Sequence, residues 1–171
     1  MDWFSTRTIS RYLVMLNFAC VYYGDKYTFP YVRNLHSMVE RNLTVPHRFI
    51  CFTDNTVIHK RKEFKNTNIE FKPFKRHDFN GWFNKLQLFS PQSELEGDTL
   101  YMDLDVVIMK NIDSFATIGE SKNFVGMNDF NPTTGNFNSS IMRFNNQYHN
   151  TIWEQYIKRR TEFSNMHGDQ E

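Results

Sequence analysis

Apolar residues along the chain occur in two alternating patterns, continuous short runs and positions spaced by three or four. The runs at 13–23 and His47–Thr53 are rich in β-branched and aromatic residues and are about the length of a strand. Between them, over Phe29–Asn42, the apolar residues are three and four apart, and Pro30 suits the first turn of a helix. The pattern therefore predicts a strand, an amphipathic helix and a second strand in succession.

The rest of the chain continues this alternation. The further predicted elements are a strand at 68–74, a helix at 81–90, two strands within 98–110 that are separated by a pair of aspartates, strands at 124–127 and 137–144, and a helix at 148–158. Strands that alternate with helices imply an α/β fold, whose mostly parallel sheet carries helices on both faces. Ligands of such sheets bind at the carboxyl ends of the strands, so polar residues at those ends are the first candidates for a site.

Composition narrows the class of protein. The 171 residues correspond to one domain, and a hydrophobic content of 40% is enough for a buried core. Lys and Arg number 20 against 19 Asp and Glu, a net charge of +1, which does not favour nucleic acid or an anionic membrane as a partner. An anionic ligand must therefore be held by a local site.

The two cysteines and the start of the chain bear on its compartment. Cys20 and Cys51 lie inside apolar runs and not in a spaced framework, so we predict buried free thiols and a reducing compartment. The first twelve residues lack the apolar centre of a signal peptide, and Asn17 interrupts the longest apolar stretch. We therefore expect a cytoplasmic protein with no signal peptide and no membrane span.

Two aspartates, Asp103 and Asp105, directly follow the apolar residues 100–102. In a continuous strand, side chains two positions apart project from the same face. Two like charges at the rim of a hydrophobic sheet repel each other, and a divalent cation between them would relieve that repulsion. Carboxylate oxygens suit Mg²⁺ or Mn²⁺. The pair predicts a metal site, although aspartates that cap a turn between strands remain the alternative.

Several ordered motifs extend this interpretation. They are Gly24-Asp25 after the first strand, Thr53-Asp54-Asn55 after the second, the helix with Trp82, Lys85 and Leu86, Tyr101-Met-Asp-Leu-Asp105, Phe124-Val-Gly-Met-Asn-Asp129, Phe137-Asn-Ser-Ser-Ile-Met142 and His167-Gly-Asp-Gln170. In this order they resemble the GT-A glycosyltransferases, particularly glycosyltransferase family 8 and its relatives, whose aspartate motif is Asp-x-Asp. The resemblance covers 14–170 and implies a single GT-A domain over 1–171, with a Rossmann-like, mixed and mostly parallel sheet flanked by helices.

The resemblance implies a metal-dependent transfer of a sugar from a nucleotide donor, most often a UDP-sugar, to a hydroxyl acceptor with retention. Mn²⁺ or Mg²⁺ held by Asp103 and Asp105 would stabilise the charge of the departing nucleoside diphosphate. Leu104, between the aspartates, is placed with the donor site by the same motif. Lys85 is implied to lie near the donor, where it could contact phosphate or the aspartates. A solvated helix lysine is the alternative for Lys85.

The loop after the first strand is implied to bind the nucleobase and ribose. Its residues are Tyr22, Tyr23, Gly24, Asp25, Lys26 and Tyr27. An aromatic face can stack on uracil, and a glycine permits close backbone approach. A tight turn with Tyr22 in the core is the alternative. Asp54 could accept a hydrogen bond from the base or ribose. The alternative is that Asp54-Asn55 only begins a loop, as such pairs commonly do.

Further residues are implied to contact the donor sugar. Asp129, Asn138, Asp169 and Gln170 would hydrogen-bond its hydroxyls, and the resemblance puts Asp169 or Gln170 next to the anomeric carbon. The family usually supplies a third metal ligand, a histidine, from a segment beyond its Asp-Gln motif, whereas this sequence ends at Glu171. We therefore expect a domain that is truncated or minimal at its C-terminus. Water or the diphosphate would fill the third position, with His167 as the alternative.

Other functions stay open. A sugar nucleotidyltransferase would share the nucleotide fold and the metal, but it commonly begins with a Gly-rich basic loop, which residues 22–26 are not. An HD-type phosphohydrolase would use His36, His77, Asp78 and Asp103 in this order, but that fold is all helical. A non-catalytic module that binds a nucleotide sugar or carbohydrate would bind a donor without releasing its nucleoside diphosphate. The sequence does not indicate the acceptor.

Overall fold

The structure is a computed structural model that describes residues 15–130, 133 and 137–163. Its strands are β1 (Leu16–Tyr22), β2 (His47–Thr53), β3 (Ile69–Pro73), β4 (Asp98–Met102), β5 (Val125–Asn128) and β6 (Phe137–Asn145). They form one six-stranded sheet in the order β3-β2-β1-β4-β6-β5. The first four of these are mutually parallel, and the last two add antiparallel pairs. The predicted mixed, mostly parallel α/β sheet is confirmed.

Helices and 3₁₀ turns connect the strands. The α-helices are α1 (Phe29–Asn42), α2 (Asp113–Thr117), α3 (Asn146–His149), α4 (Thr151–Lys158) and α5 (Arg160–Phe163), and the 3₁₀ helices are Ile58–Lys60, Lys62–Phe64, Gly81–Phe89 and Pro91–Ser93. The sequence pattern predicts the bounds of α1 and β2 correctly. In α1 the buried side chains are Val32, Leu35 and Val39, which are spaced by three and four as in an amphipathic helix.

The sheet is covered on both faces. On one face, α1 buries Leu35 against a cluster that includes Phe18 and Phe49. On the other, the 3₁₀ helix Gly81–Phe89 and α4 cover a second cluster that includes Tyr101 and Trp153. Full burial of a Phe or Leu side chain stabilises the folded state by about 1.5–3 kcal/mol, so these two apolar layers stabilise the sheet from both faces.

The second strand predicted after the two aspartates does not form. The chain turns at Asp103, where the backbone N–H of Val106 donates to the Asp103 carbonyl at 3.2 Å. Beyond it, Val107 and Met109 are 73% and 88% exposed, while Ile108 is buried. The ladder between β4 and β6 ends at Met102. The apolar run at 106–109 therefore does not extend the sheet; Val106 and Ile108 pack against the cluster beneath α1, and Val107 and Met109 face solvent.

Two helices also differ from expectation. The segment Gly81–Phe89 is a 3₁₀ helix and not an α-helix, so that residues three apart eclipse one another along it. The helix expected at 148–158 is divided into α3 and α4 around Asn150. Asn145 caps α3 by accepting a hydrogen bond from the Gln147 backbone at 3.0 Å, which fixes a separate helix start.

The two cysteines lie in the core. Cys20 and Cys51 are free, buried and directly opposite each other in the β1–β2 ladder, as predicted. Burial raises the pKa of the Cys20 thiol well above its usual value, so that it stays protonated.

No helix in the described part of the chain combines the length and the apolar character that crossing a bilayer requires.

Candidate functional site

Most of the predicted site segments meet at one end of the sheet, where the parallel strands have their carboxyl ends; this end is called the sheet edge below. The carboxyl ends of β1 and β2 lie side by side there, with Tyr22 opposite Thr53. Because β6 is antiparallel to β4, the start of β6 reaches the same edge, and Asn128 at the end of β5 pairs with Phe137. The structure thus brings together the loop at 23–27, Asp54, Asp103, Asp105, Asp129 and Asn138.

Asp103 is held from three directions. Its backbone N–H donates to the Ser140 carbonyl at 2.9 Å. The hydroxyl of Tyr101 donates to its Oδ1 at 2.5 Å, and the Nζ of Lys85 lies 3.1 Å from the same oxygen. Its side chain is 25% exposed, so a part of the carboxylate remains open to a ligand.

Lys85 reaches Asp103 from beneath the site. It lies on the 3₁₀ helix Gly81–Phe89, its residue is only 8% exposed, and its Nζ donates to the Ser139 hydroxyl at 2.9 Å. A buried ammonium group is stable only beside an opposite charge and hydrogen-bond acceptors, and Asp103 and Ser139 provide them. Lys85 is therefore not the solvated helix lysine of the alternative interpretation.

Asp105 is exposed and is held by the loop after β1. The hydroxyl of Tyr27 donates to its Oδ2 at 2.5 Å. Desolvation and the hydrogen bond to Asp105 raise the pKa of Tyr27, which remains a neutral donor at pH 7. The Nζ of Lys26 lies 4.7 Å from the centre of the Tyr27 ring. The pKa of Lys26 is raised, chiefly by its contact with Tyr27 and further by the charges of Asp105 and Asp103.

The two aspartates fit part of a divalent metal site. The predicted break at the aspartates is confirmed, since the chain turns at Asp103, so the two side chains do not project from one face of a continuous strand. The charges of both carboxylates contribute to the raised pKa of Lys26. No group of three or more His, Cys, Asp or Glu side chains among the described residues could hold a metal ion. Two hard oxygen ligands suit Mg²⁺ or Mn²⁺, which take water and substrate phosphates in their remaining positions.

The loop after β1 is tied to Asp54. The backbone N–H of Gly24 donates to the Asp54 Oδ2 at 3.2 Å. Gly24 has a φ of +65°, a conformation that favours glycine, and among the described residues, its two chain neighbours apart, no heavy atom lies within 4 Å of the place where its Cβ would be. Glycine is therefore required here by backbone conformation, and open space remains beside it for a ligand.

The first two tyrosines of this segment pack against the core. Tyr22 lies against the cluster beneath α1, and Tyr23 contacts Phe74 edge to face, with ring centres 6.3 Å apart. Both are half-buried, whereas Asp25 and Lys26 are exposed. The alternative of a turn with Tyr22 against the core thus describes this side chain.

No protein-family model matches the sequence, and no curated protein matches it. Among solved structures, the chain resembles two crystal structures of the glycosyltransferase GlyE from Streptococcus pneumoniae TIGR4. Their TM-scores are 0.65 and 0.60, at 14% and 15% sequence identity. These matches cover 91% and 88% of this chain and 41% and 40% of GlyE. A third structure, PaToxG Glycosyltransferase, has a TM-score of 0.55 at 13% identity, with 87% of this chain and 61% of that chain covered.

The chain has a glycosyltransferase fold. It spans about two fifths of the length of GlyE and about three fifths of PaToxG. At these identities the likeness concerns the fold, and the chemistry has to be argued from the residues at the sheet edge.

Two of the residues predicted for the sugar lie at the start of β6 and just after β5, at the same end of the sheet as the aspartates. Asn138 is buried at the start of β6, and its Oδ1 accepts a hydrogen bond from the Ser140 N–H at 2.8 Å. Asp129 directly follows β5 and is half-buried. The side chain of Leu104 is 3% exposed and lies in the core, so only its backbone can face a donor. Asp169, Gln170 and His167 lie outside the described residues.

Two contacts at the site had no assigned role in the sequence interpretation. Tyr101 is two residues before Asp103 at the end of a strand, so the alternation of side chains could have indicated their contact. Ser139 is 54 residues from Lys85, and no local pattern in the sequence points to their hydrogen bond. Around Asp103 and Asp105 this end of the sheet therefore carries a buried cation and the hydroxyls of Tyr27, Tyr101 and Ser139. Groups of these kinds are the ones that suit a divalent ion and an anionic ligand.

Proposed function

We propose that the chain is a metal-dependent glycosyltransferase that moves a sugar from a nucleotide donor to a hydroxyl acceptor. The observation that carries this proposal is the pairing of buried Lys85 with Asp103, beside Asp105, at the carboxyl edge of a glycosyltransferase fold. Parallel sheets bind nucleotides at this edge. A UDP-linked donor and retention of configuration are supported by the resemblance of the sequence to family 8.

The fixed groups divide the work of binding a nucleotide sugar. Asp103 and Asp105 would hold Mn²⁺ or Mg²⁺, which supplies Lewis-acid charge to a departing diphosphate. Tyr101 and Lys85 keep one Asp103 oxygen in place by contacts of 2.5 and 3.1 Å, so the carboxylate needs little reorganisation when a ligand binds. The positive charge of Lys85 also favours an anionic leaving group nearby.

The remaining roles concern the nucleoside and the sugar. The loop at 23–27 and Asp54 bind the nucleoside in this proposal, since Gly24 leaves open space beside a backbone that is already tied to Asp54. Asp129 and Asn138 hydrogen-bond sugar hydroxyls. In transfer, the bond from the anomeric carbon to the diphosphate breaks as the acceptor oxygen bonds to that carbon and gives up its proton. The roles proposed for Asp169 and Gln170 beside that carbon rest on the resemblance.

The donor can be identified by thermal shift in a screen of nucleotide sugars with and without Mn²⁺. A ligand present at 100 times its Kd stabilises the folded state by about 2.7 kcal/mol. For a chain of this size that amounts to a rise in Tm of about 5–10 °C. We expect this shift with one or more UDP-sugars and Mn²⁺, and a much smaller one when Mn²⁺ is replaced by excess chelator.

The same screen contains its own controls. GDP- and ADP-sugars carry the same diphosphate, so an equal shift with all nucleotides would contradict recognition of the base. A non-catalytic module would give the full shift with a UDP-sugar but release no UDP on prolonged incubation. A shift with UTP and a sugar phosphate, accompanied by release of pyrophosphate, would favour a nucleotidyltransferase.

Replacing Lys85 with methionine tests the buried cation. Lys85→Met keeps an unbranched side chain but removes the charge that faces Asp103, and loss of one fixed electrostatic group typically costs 10²–10³-fold in rate. We expect UDP release from the donor to slow by about 100-fold. Lys122→Met is the matched control, because the Lys122 side chain is 63% exposed and pairs with Glu120. A Lys85→Met variant that folds and retains turnover within twofold of wild type would contradict the role given to Lys85.

A further inference from the structure

The two aspartates are held in different ways. Asp103 is fixed from within the domain, since Tyr101 is 1% exposed and Lys85 is 8% exposed. Asp105 is exposed, and its hydrogen bond comes from Tyr27, 78 residues away in the loop after β1. The orientation of one metal-binding carboxylate is thus fixed by the core, and that of the other depends on a surface loop.

That loop has a second tie at its other end. Gly24 donates to Asp54, which follows β2, while Tyr27 donates to Asp105, which follows β4. Because β1 lies between β2 and β4 in the sheet, residues 24–27 bridge the edge of three adjacent strands. A ligand that contacts this loop acts on the same short segment that orients Asp105.

We propose that Tyr27 is a positioning residue that couples the nucleoside-binding loop to the metal-binding carboxylates. The inference rests on the proposed function. Binding of a nucleoside to the loop holds the Tyr27 hydroxyl on Asp105, and the oriented carboxylate binds the metal more tightly. Coupling of this kind is reciprocal, so the metal also tightens nucleoside binding by the same factor.

Coupling through Tyr27 differs from the direct bridge that a diphosphate makes to a metal. A nucleoside without phosphate cannot contact the metal through phosphate oxygens, so any mutual tightening must pass through the protein. Uridine is therefore the informative probe. Hydrogen-bonding partners of metal ligands typically contribute 10–100-fold to metal affinity, which is large enough to measure.

The test is titration calorimetry of Mn²⁺ binding with and without saturating uridine. In wild type we expect uridine to lower the Kd for Mn²⁺ by about 5-fold or more, within the usual range of coupling between sites. In Tyr27→Phe we expect Mn²⁺ alone to bind about 10–100-fold more weakly and the effect of uridine to vanish. Tyr31→Phe is the control, because Tyr31 packs on Tyr27 with ring centres 5.0 Å apart and should retain both wild-type values.

The outcomes separate this inference from the function on which it rests. If Tyr27→Phe shows the same Mn²⁺ affinity and the same response to uridine as wild type, the coupling role is overturned while the metal site stands. A wild type that binds Mn²⁺ and UDP but does not respond to uridine overturns it as well. If wild type binds Mn²⁺ neither alone nor with UDP, the proposed metal-dependent function fails, and the coupling fails with it.

Discussion

Asp105→Asn is expected to lower the Mn²⁺-dependent affinity for UDP by at least about 100-fold, beyond the 10–100-fold typical of groups that only orient metal ligands. The substitution keeps the size of the side chain but removes the charge that a hard divalent ion requires. Asp105 is exposed, so its loss should leave the fold intact. Titration calorimetry of UDP with Mn²⁺ measures the effect, with circular dichroism as the check on folding.

Asp103→Asn should lower the same affinity equally, but it also removes the negative charge that lies 3.1 Å from the buried Lys85 ammonium. We therefore expect this variant to be less stable than Asp105→Asn as well as inactive. Glu120→Gln is the control, since the Glu120 side chain is 72% exposed and pairs with Lys122. Wild-type affinity for UDP with Mn²⁺ in both aspartate variants would show that these carboxylates do not hold the metal.

The largest expected loss of stability follows from Arg143→Met. The Arg143 side chain is 5% exposed and pairs with Asp98 at 2.7 Å. It also donates to the carbonyls of Ala116, Ile118 and Glu120, at 3.0, 3.0 and 3.2 Å, and so joins β6 to α2 and the turn after it. Removal of one partner of a buried ion pair typically costs about 3–5 kcal/mol, and because the Asp98 side chain is 26% exposed we expect a loss at the lower end of this range. Urea denaturation should show this loss at an unchanged m value.

An exposed ion pair is the matched control for Arg143. Arg159 and Glu162 are 50% and 59% exposed, and ion pairs that are screened by solvent contribute little to stability. Arg159→Met should therefore shift the urea midpoint only slightly. Equal shifts in the two variants would contradict a structural role for the Arg143 network.

Local patterns in the sequence predict the parts of the fold that local forces determine. The three- and four-residue spacing over Phe29–Asn42 and the apolar run His47–Thr53 correspond to α1 and β2, because one buried face imposes a fixed period on a helix and continuous burial on an inner strand. The strand expected within 106–109 is absent because the chain turns away from the sheet at Asp103, directly after the end of β4. Whether a strand continues depends on a neighbouring partner, which a local pattern does not contain.

Some residues of the candidate site can likewise be found from local patterns, and others cannot. Asp103 and Asp105 can be found from the sequence because two carboxylates next to an apolar run are unusual. The burial of Lys85 depends on Ser139, and the orientation of Asp105 depends on Tyr27; both contacts join residues more than 50 positions apart. Such contacts follow from the strand order, so they become visible only when the sheet is assembled.

We expect sugar transfer at this end of the sheet to depend on a metal. The most direct test is the release of UDP from a UDP-sugar in the presence of Mn²⁺, measured for wild type, for wild type with excess chelator, and for Asp105→Asn. We expect release by wild type with Mn²⁺ and almost none in the other two samples. Binding of the donor without any release would contradict catalysis, and release at equal rates in all three would contradict the metal and its aspartates.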